Sequence, residues 1–367
     1  MSSYVRRAYS SFAAHIFDIP PRLLAFLCIL VLFLIPTAGL NRTSLAILVD
    51  ANVLAIFAVS WDLLVGRTGQ ISLGHALFSG VGGYTSALLF KFLGLPLWIS
   101  IPGAMATGVL VGVIIGLPCL RVKGPYLALV TLAFPLIVQN VVKWGRLNSI
   151  FGSELGITDV PTFFPFLQRL ARVQAEYYLT LTLLLISAVI IYKIANSKTG
   201  IVFVSILDDE VGSKACGINV TKYKLMAFMI SGFFASLAGC INVHLFPTGA
   251  THLMFALPKS LTPLIVTFLG GIGTIYGAIV GSYIYLILDR YVMDVLLPII
   301  MKQFNISVSS DVLNSTKLII FTLIVLIIVI KWPRGIATFT TDKLDDLEEA
   351  RDLDERGPRI WKRYKKK

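Results

Sequence analysis

Long stretches with almost no charge recur along this chain, and no other feature restricts its fold so strongly. An α-helix needs about 20 apolar residues to cross the roughly 30 Å hydrocarbon core of a bilayer. Apolar segments of that order run near 23–40, 44–65, 69–90, 96–118, 125–142, 177–195, 225–245, 259–288 and 315–332. The 259–288 segment is long enough for two short or broken helices. The expected fold is therefore all-α: a polytopic membrane protein of about 9–11 transmembrane or broken helices. Composition agrees, since 56% of the residues are apolar and the mean hydropathy is +0.81, well beyond soluble domains.

Charge then orients the chain. With residues 1–22 as a cytoplasmic amino-terminal segment, Arg67, Arg121 and Lys123 fall on the cytoplasmic side, and the 144–176 loop falls outside. A loop over 196–224, carrying Lys198, Lys214, Lys222 and Lys224, returns to the cytoplasm, as short basic loops prefer. The transmembrane domain is expected over 23–333, followed by a charged cytoplasmic tail over 334–367 that is acidic from 342 to 355 and basic from 356. Both termini are expected in the cytoplasm. The net charge of +12 reads as positive-inside loops and a basic tail facing anionic lipid, not as a nucleic-acid footprint.

Several chemistries have no foothold. Cys28, Cys119, Cys216 and Cys240 are scattered, with no Cys-x-x-Cys pair and no histidine at ligand spacing, so neither a disulfide framework nor a metal site is supported. The chain lacks a G-x-x-x-x-G-K-[ST] phosphate loop, a G-x-S-x-G elbow and an H-E-x-x-H pair. No catalytic residue and no cofactor bound by this chain are expected. Energy for any active transport must enter through a partner chain or an ion gradient.

Small residues mark where helices meet, because burying apolar surface gives no net drive for association in lipid. In 69–87, Gly69, Ser72, Ala76, Ser79 with Gly80, Gly83 and Ser86 with Ala87 recur every three or four residues and predict one smooth helix stripe. The device returns at Ala104, Gly108, Gly112 and Gly116, and again at Gly273, Gly277 and Gly281. Segments 23–35, 177–194 and 318–330 have no glycine and are expected to face lipid. Asp50, Asn52, Asp62, His75, Gln139, Asn140, Asn242 and His244 lie in or at the edges of apolar segments, where polar groups are expensive and functional by default. His75 reads as a neutral imidazole bonded between helices, with a substrate contact as the alternative. Gly69, Pro125, Pro135, Pro258, Pro263 and Gly270-Gly271 predict local helix breaks, the places where transporters expose backbone to substrate.

The stretch SKTGIVFVSILDDEVGSKACGINVTKYKLMAFMISGFFASLAG (197–239) adds a soluble element. Asp208, Asp209 and Glu210 lie early in a short helix-capable run, where acidic groups suit the positive end of the dipole, and Gly217 supplies a C-cap. The run is either a docking helix or a solvated loop.

At these residues the chain resembles the permeases of branched-chain amino acid ABC importers, the LivM type in particular. The matching passages are GQISLGHALFSGVGGY (69–84), RVKGPYLALVTLAF (121–134), DDEVGSKACGINVTKYKLMAF (208–228), FLGGIGTIYGAIVG (268–281) and WPRGI (332–336), in the family's order. The resemblance implies a permease subunit in the cytoplasmic membrane that works by alternating access. Its implied partners are a second homologous permease, two cytoplasmic ATPases that use ATP and Mg, and an extracytoplasmic solute-binding protein. The ATPase-coupling helix would run from about Ile206 to Ile218, with Asp208, Asp209, Glu210, Lys214, Ala215, Gly217 and Ile218 at its contacts. The substrate would pass between the two permeases near Ser72, His75, Thr131 and Gly270. Three departures stand out: Ser205-Ile206-Leu207 where the family usually has Ala-Ile-Arg, Ala278 where it has proline, and FGSELGI (151–157) without the common Thr-Gly-Gly. Urea and short-amide permeases resemble the chain too; an ion-coupled secondary transporter and a purely structural membrane subunit are the rival classes.

Overall fold

A computed structural model describes residues 30–119, 122, 124–245, 249–290, 299, 310–332 and 335–337. The chain divides into two compact units, Arg42–Ile336 and a smaller one joining Met1–Asn41 with Ala337–Lys367. In the smaller unit residues 30–34 are helical and a 3-10 turn, Ile35–Ala38, ends at Gly39. Segment 1–22 and the tail beyond 337 lie outside the described residues.

The larger unit contains α1 (Arg42–Thr68), α2 (His75–Leu93), α3 (Leu97–Cys119), α4 (Pro125–Lys143), α5 (Asn148–Phe151), α6 (Arg169–Ala195), α7 (Lys198–Asp208), α8 (Glu210–Ala215), α9 (Val220–Leu245), α10 (Leu257–Gly270), α11 (Ile275–Leu286) and α12 (Ser310–Lys331). The one extended pairing among the described residues is the Ile157–Ala250 bridge, which joins the loop before α6 to the loop before α10. Among the described residues six helices, α1, α2, α3, α4, α6 and α9, are long and apolar enough to cross a membrane. The α10 arm and the Ile275–Arg290 arm meet at a 110° bend, as the Gly270-Gly271 pair predicts. The protein is thus a multi-pass, all-α membrane protein.

Burial separates the helices into inner and outer sets. In α1 and α9, 67% and 72% of the most apolar stretch is buried, against 33% in α3 and α6 and 28% in α4. α9 packs on α3, α2 and α1, while α6 and α11 pack on α1. The glycine-free α6 lies outside as expected. Yet α3, with its glycine stripe, is equally exposed; one edge, which carries Ala104, Gly108, Gly112 and Gly116, is turned inward. The enclosed α1 has a single glycine, Gly66.

Where the stripes meet, backbone touches backbone. A methyl group on Gly239 of α9 would overlap the Ser79 carbonyl of α2, and one on Gly108 of α3 would overlap the Ser236 hydroxyl of α9. At Gly112 it would stand 2.9 Å from the Phe228 carbonyl, and at Gly116 2.8 Å from the Leu225 side chain. Gly80 lies against the Phe255 ring and Gly83 against Met254 and Val243. Such contacts supply the dispersion that holds helices together in lipid.

Three expectations are corrected. The stripe over 69–87 is not one smooth helix, because Gly69 takes a left-handed φ of 68° and the chain stays irregular until His75. Gly273 is not on a helix face; it sits in the turn after the α10 bend with φ 80°. Pro135 and Pro263 lie inside α4 and α10 without ending them, whereas Pro125 and Pro258 occupy first turns, where proline's missing N–H is harmless.

Candidate functional site

Among the described residues of the larger unit, polar groups gather at the α1–α2 turn, the α10–α11 bend, the α7–α8 loop and two cavities beside Asp50. At the α1–α2 turn the Trp61 indole donates to the Ser72 carbonyl at 2.8 Å, and the Thr131 hydroxyl of α4 accepts from the Leu73 amide at 3.1 Å. His75 opens α2, fully buried, with Nε2 2.8 Å from the Ser60 hydroxyl of α1. It is the interhelical imidazole that the sequence suggests. The fold thus brings Ser72, His75 and Thr131 together around one break. Gly270 lies apart from that turn, at the α10–α11 bend, pressed on Gly277 and Gly281. All four are buried, and none lines the cavities described below.

The bend is held by a carboxylate on another helix. Asp62 of α1, 1% exposed, accepts a hydrogen bond from the Gly273 amide at 2.7 Å. Gly273 lies backbone to backbone on Gly66, so the tip of the bent pair is sewn to the Thr68 end of α1. Asn52 ties α1 to α6 through Thr180 at 3.1 Å and to α11 by accepting from the Tyr283 hydroxyl. His244 of α9 bonds Ser86 of α2 at 2.6 Å and the Pro161 carbonyl at 2.7 Å. Asn140 is exposed and donates to its own helix at Leu136. Most of the polar residues singled out in the apolar segments therefore have structural partners.

The α7–α8 loop is built differently. The expected helix over 206–218 is interrupted: Ile206 to Asp208 finish α7, Asp209 is extended (φ −150°, ψ 102°), and a separate helix covers Glu210–Ala215. The cause is capping. Asp209 accepts from the Val211 amide at 2.9 Å, which starts α8 anew. At the other end Gly217 is left-handed with φ 82°, its amide bonds the Lys214 carbonyl at 3.0 Å, and the Ile218 amide reaches back to Ser213 at 3.1 Å, closing a Schellman motif. Ser213 donates to the Ser205 carbonyl at 2.9 Å, pinning α8 under α7.

One carboxylate joins this loop to the core of the bundle. Glu210 Oε1 accepts from Lys214 at 2.8 Å and Oε2 from Lys224 at 2.6 Å. Lys224 belongs to α9 and its side chain is only 8% exposed. Burial alone would raise the Glu210 carboxyl, but the hydrogen bonds and charges of the two lysines hold it down at about 2. Asp208, Asp209, Lys214, Ala215 and Gly217 are exposed, and so is the apolar Val211 at 72%. Beside them a groove of about 730 Å³ runs past Arg67, Asn196, Ile201 and Gly212.

Two smaller cavities lie toward the Arg42 end of α1 and share Asp50. One, about 200 Å³, brings Lys259 of α10, Asp289 and Arg290 to face Asp50. The other, about 240 Å³, is lined by Arg42, Arg169, Arg172 and Glu176, with Arg172 paired to Glu176 at 2.8 Å. Sequence reasoning passes over Lys259, Asp289 and Arg290 because they stand at the ends of the 259–288 segment, where charges read as ordinary helix flanks.

Residues 43–330 match the family model described as branched-chain amino acid transport system / permease component. The high-affinity branched-chain amino acid transport system permease protein LivM of Salmonella typhimurium is 28% identical over 282 residues, covering 69% of this chain and 64% of the relative. LivM of Escherichia coli is 28% identical over 267 residues, covering 65% and 60%. The autoinducer 2 import system permease protein LsrC of Yersinia pseudotuberculosis is 27% identical over 254 residues, covering 65% and 63%. The chain thus spans less than two thirds of the length of these relatives. No solved structure matches it.

Proposed function

Because this chain belongs to the branched-chain amino acid transport permease family, we propose that it is the membrane-spanning subunit of an ABC importer that moves leucine, isoleucine and valine across the cytoplasmic membrane. The observation that carries this reading is α8: a six-residue helix, capped at both ends, exposing Val211 and Ala215, and tied by Glu210 to a buried lysine of α9. An exposed apolar side chain on a rigid, charge-rimmed helix outside the membrane suits docking into another polypeptide. That polypeptide is a cytoplasmic ATPase, present in two copies, which supplies the ATP and Mg chemistry this chain lacks. A second homologous permease and an extracytoplasmic solute-binding protein complete the assembly, with both termini of this chain in the cytoplasm.

The mechanism is alternating access. Closure of the ATPases on nucleotide pulls α8; the Glu210–Lys224 pair and the Ser205–Ser213 bonds pass that displacement to α9 and α7. Since α9 is packed backbone to backbone on α2 and α3, it moves them as rigid bodies. Ser72, His75, Thr131 and Gly270, at the two helix breaks, then line the path at the interface with the second permease.

The LsrC relatives favour a second cargo class, autoinducer 2. One experiment separates the readings. The complex purified with its native partners is reconstituted in proteoliposomes, and ATP-dependent uptake of leucine, autoinducer 2 and urea is compared. Uptake of leucine above the others, lost on deleting Glu210–Ala215, is expected. Preference for either rival cargo would displace the amino acid assignment, and uptake without any ATPase would displace the ABC reading itself.

A further inference from the structure

The 200 Å³ cavity beside Asp50 gathers two carboxylates and two cations, Asp50, Asp289, Lys259 and Arg290. Among the described residues, neither the Asp50 carboxylate nor the Lys259 ammonium has a hydrogen bond or an ion pair within 4.0 Å, although both face the same space. Lys259 merely stands 5.9 Å from the centre of the Phe57 ring. Arg290, at the mouth and 55% exposed, lies 3.7 Å from Asp289. Asp50 and Lys259 are both half-buried, and a protein normally offsets the cost of partly desolvating opposite charges by letting them touch. Here they are held apart with room between.

We propose that this cavity binds a zwitterionic amino acid, with Asp50 receiving the α-ammonium group and Lys259, aided by Arg290 at the mouth, receiving the carboxylate. The inference rests on the amino acid cargo proposed above and adds a site within this subunit to the path at the interface of two. A zwitterion carries both required charges on one carbon, so a single ligand satisfies both walls. A simple ion would satisfy one, and neutral urea neither. Among the remaining lining, Val53, Leu54, Phe57 and Leu286 offer apolar contact to an aliphatic side chain, beside the polar Ser79, Asn242, Thr262 and Tyr285. Asp50 also borders the neighbouring cavity, whose Arg42 and Arg169 give an incoming carboxylate a favourable approach.

The test is equilibrium binding of radiolabelled leucine to the purified transporter complex in nanodiscs, without solute-binding protein, alongside leucine uptake by the same complex. Saturable binding is expected, with leucinamide and isovalerate each competing about tenfold or more weakly, as the loss of a charged hydrogen bond implies. Asp50→Asn should abolish discrimination against isovalerate, which lacks the ammonium group, and Lys259→Gln that against leucinamide, which lacks the carboxylate. Opposite changes in selectivity cannot come from a general folding defect, and Lys259→Arg should retain binding. Leucine uptake with no saturable binding, or binding unchanged in both variants, overturns the site and leaves the cargo assignment standing. A complex that takes up no leucine removes the cargo assignment and the site with it.

Discussion

Replacing Glu210 by glutamine should loosen the α7–α8 loop far more than removing Lys214, although the carboxylate bonds two lysines at almost the same distance, 2.8 and 2.6 Å. The difference comes from water. Lys214 is 50% exposed, so its pair is an ordinary i,i+4 surface contact, worth about 0.3–0.5 kcal/mol. Lys224 is 8% exposed, and a neutral glutamine leaves its ammonium with an acceptor but without a countercharge or full hydration; a hydrogen bond between charged groups is worth about 1.5–3 kcal/mol. Glu210→Gln should therefore cost about 2 kcal/mol locally, and since 1.36 kcal/mol is a factor of ten, the Gly217 and Ile218 amides should exchange about 30-fold faster. Lys214→Met should accelerate them about twofold by the same conversion. Hydrogen exchange with mass spectrometry on the complex in nanodiscs reads this directly. A pH arm fixes the sign. The Glu210 carboxyl titrates lower in the fold than its usual 4.5, so its stabilisation is complete above that value and lost as pH falls toward about 2. Equal effects of Glu210→Gln and Lys214→Met, or protection that survives below pH 3 unchanged, would refute the reasoning.

Three further outcomes are expected. Gly239→Ala should drive a methyl into the Ser79 carbonyl and cost about 1–3 kcal/mol as an overpacked contact, seen as a lower melting temperature of the purified complex; Gly145→Ala, with nothing within 4 Å, should leave it unchanged. Asp62→Asn keeps an acceptor for the Gly273 amide and should be tolerated, whereas Asp62→Ala should reduce assembly and uptake together; equal behaviour of the two would remove the bend-holding role. Cys216 is exposed while Cys119 and Cys240 are buried, so in a Cys28→Ser background an impermeant maleimide should label this chain in inside-out vesicles but not in intact cells, and adding Cys216→Ser should abolish the signal; labelling of intact cells would reverse the orientation.

Much of the bundle is legible in the chain because lipid permits few ways to pack helices. The glycines at 108, 112 and 116 announce a close contact, and Gly270-Gly271 announces a bend, since each needs a backbone that other residues resist. The irregular turn over 69–74 is half legible: Gly69 marks a break, but the small residues beyond it keep helical spacing, and only the Thr131 bond to the Leu73 amide shows how far the turn runs. The central place of α1 is equally hidden, because a helix apolar on every side looks the same whether it meets protein or lipid. At the candidate site, Glu210 and Lys214 are recognisable partners at i,i+4. Lys224, 14 residues away and on another helix, is not, and it is the partner that joins the loop to the bundle.

The bond between Asp62 and Gly273 has a consequence for how the protein is made. The two residues are 211 positions apart, so at a ribosome adding about 5–20 residues per second, roughly 10–40 s separate their syntheses. Throughout that interval a carboxylate has been delivered to the bilayer without the amide that will receive it. The first half of the chain therefore carries an unmet acceptor until the bent pair arrives and the nascent bundle can close.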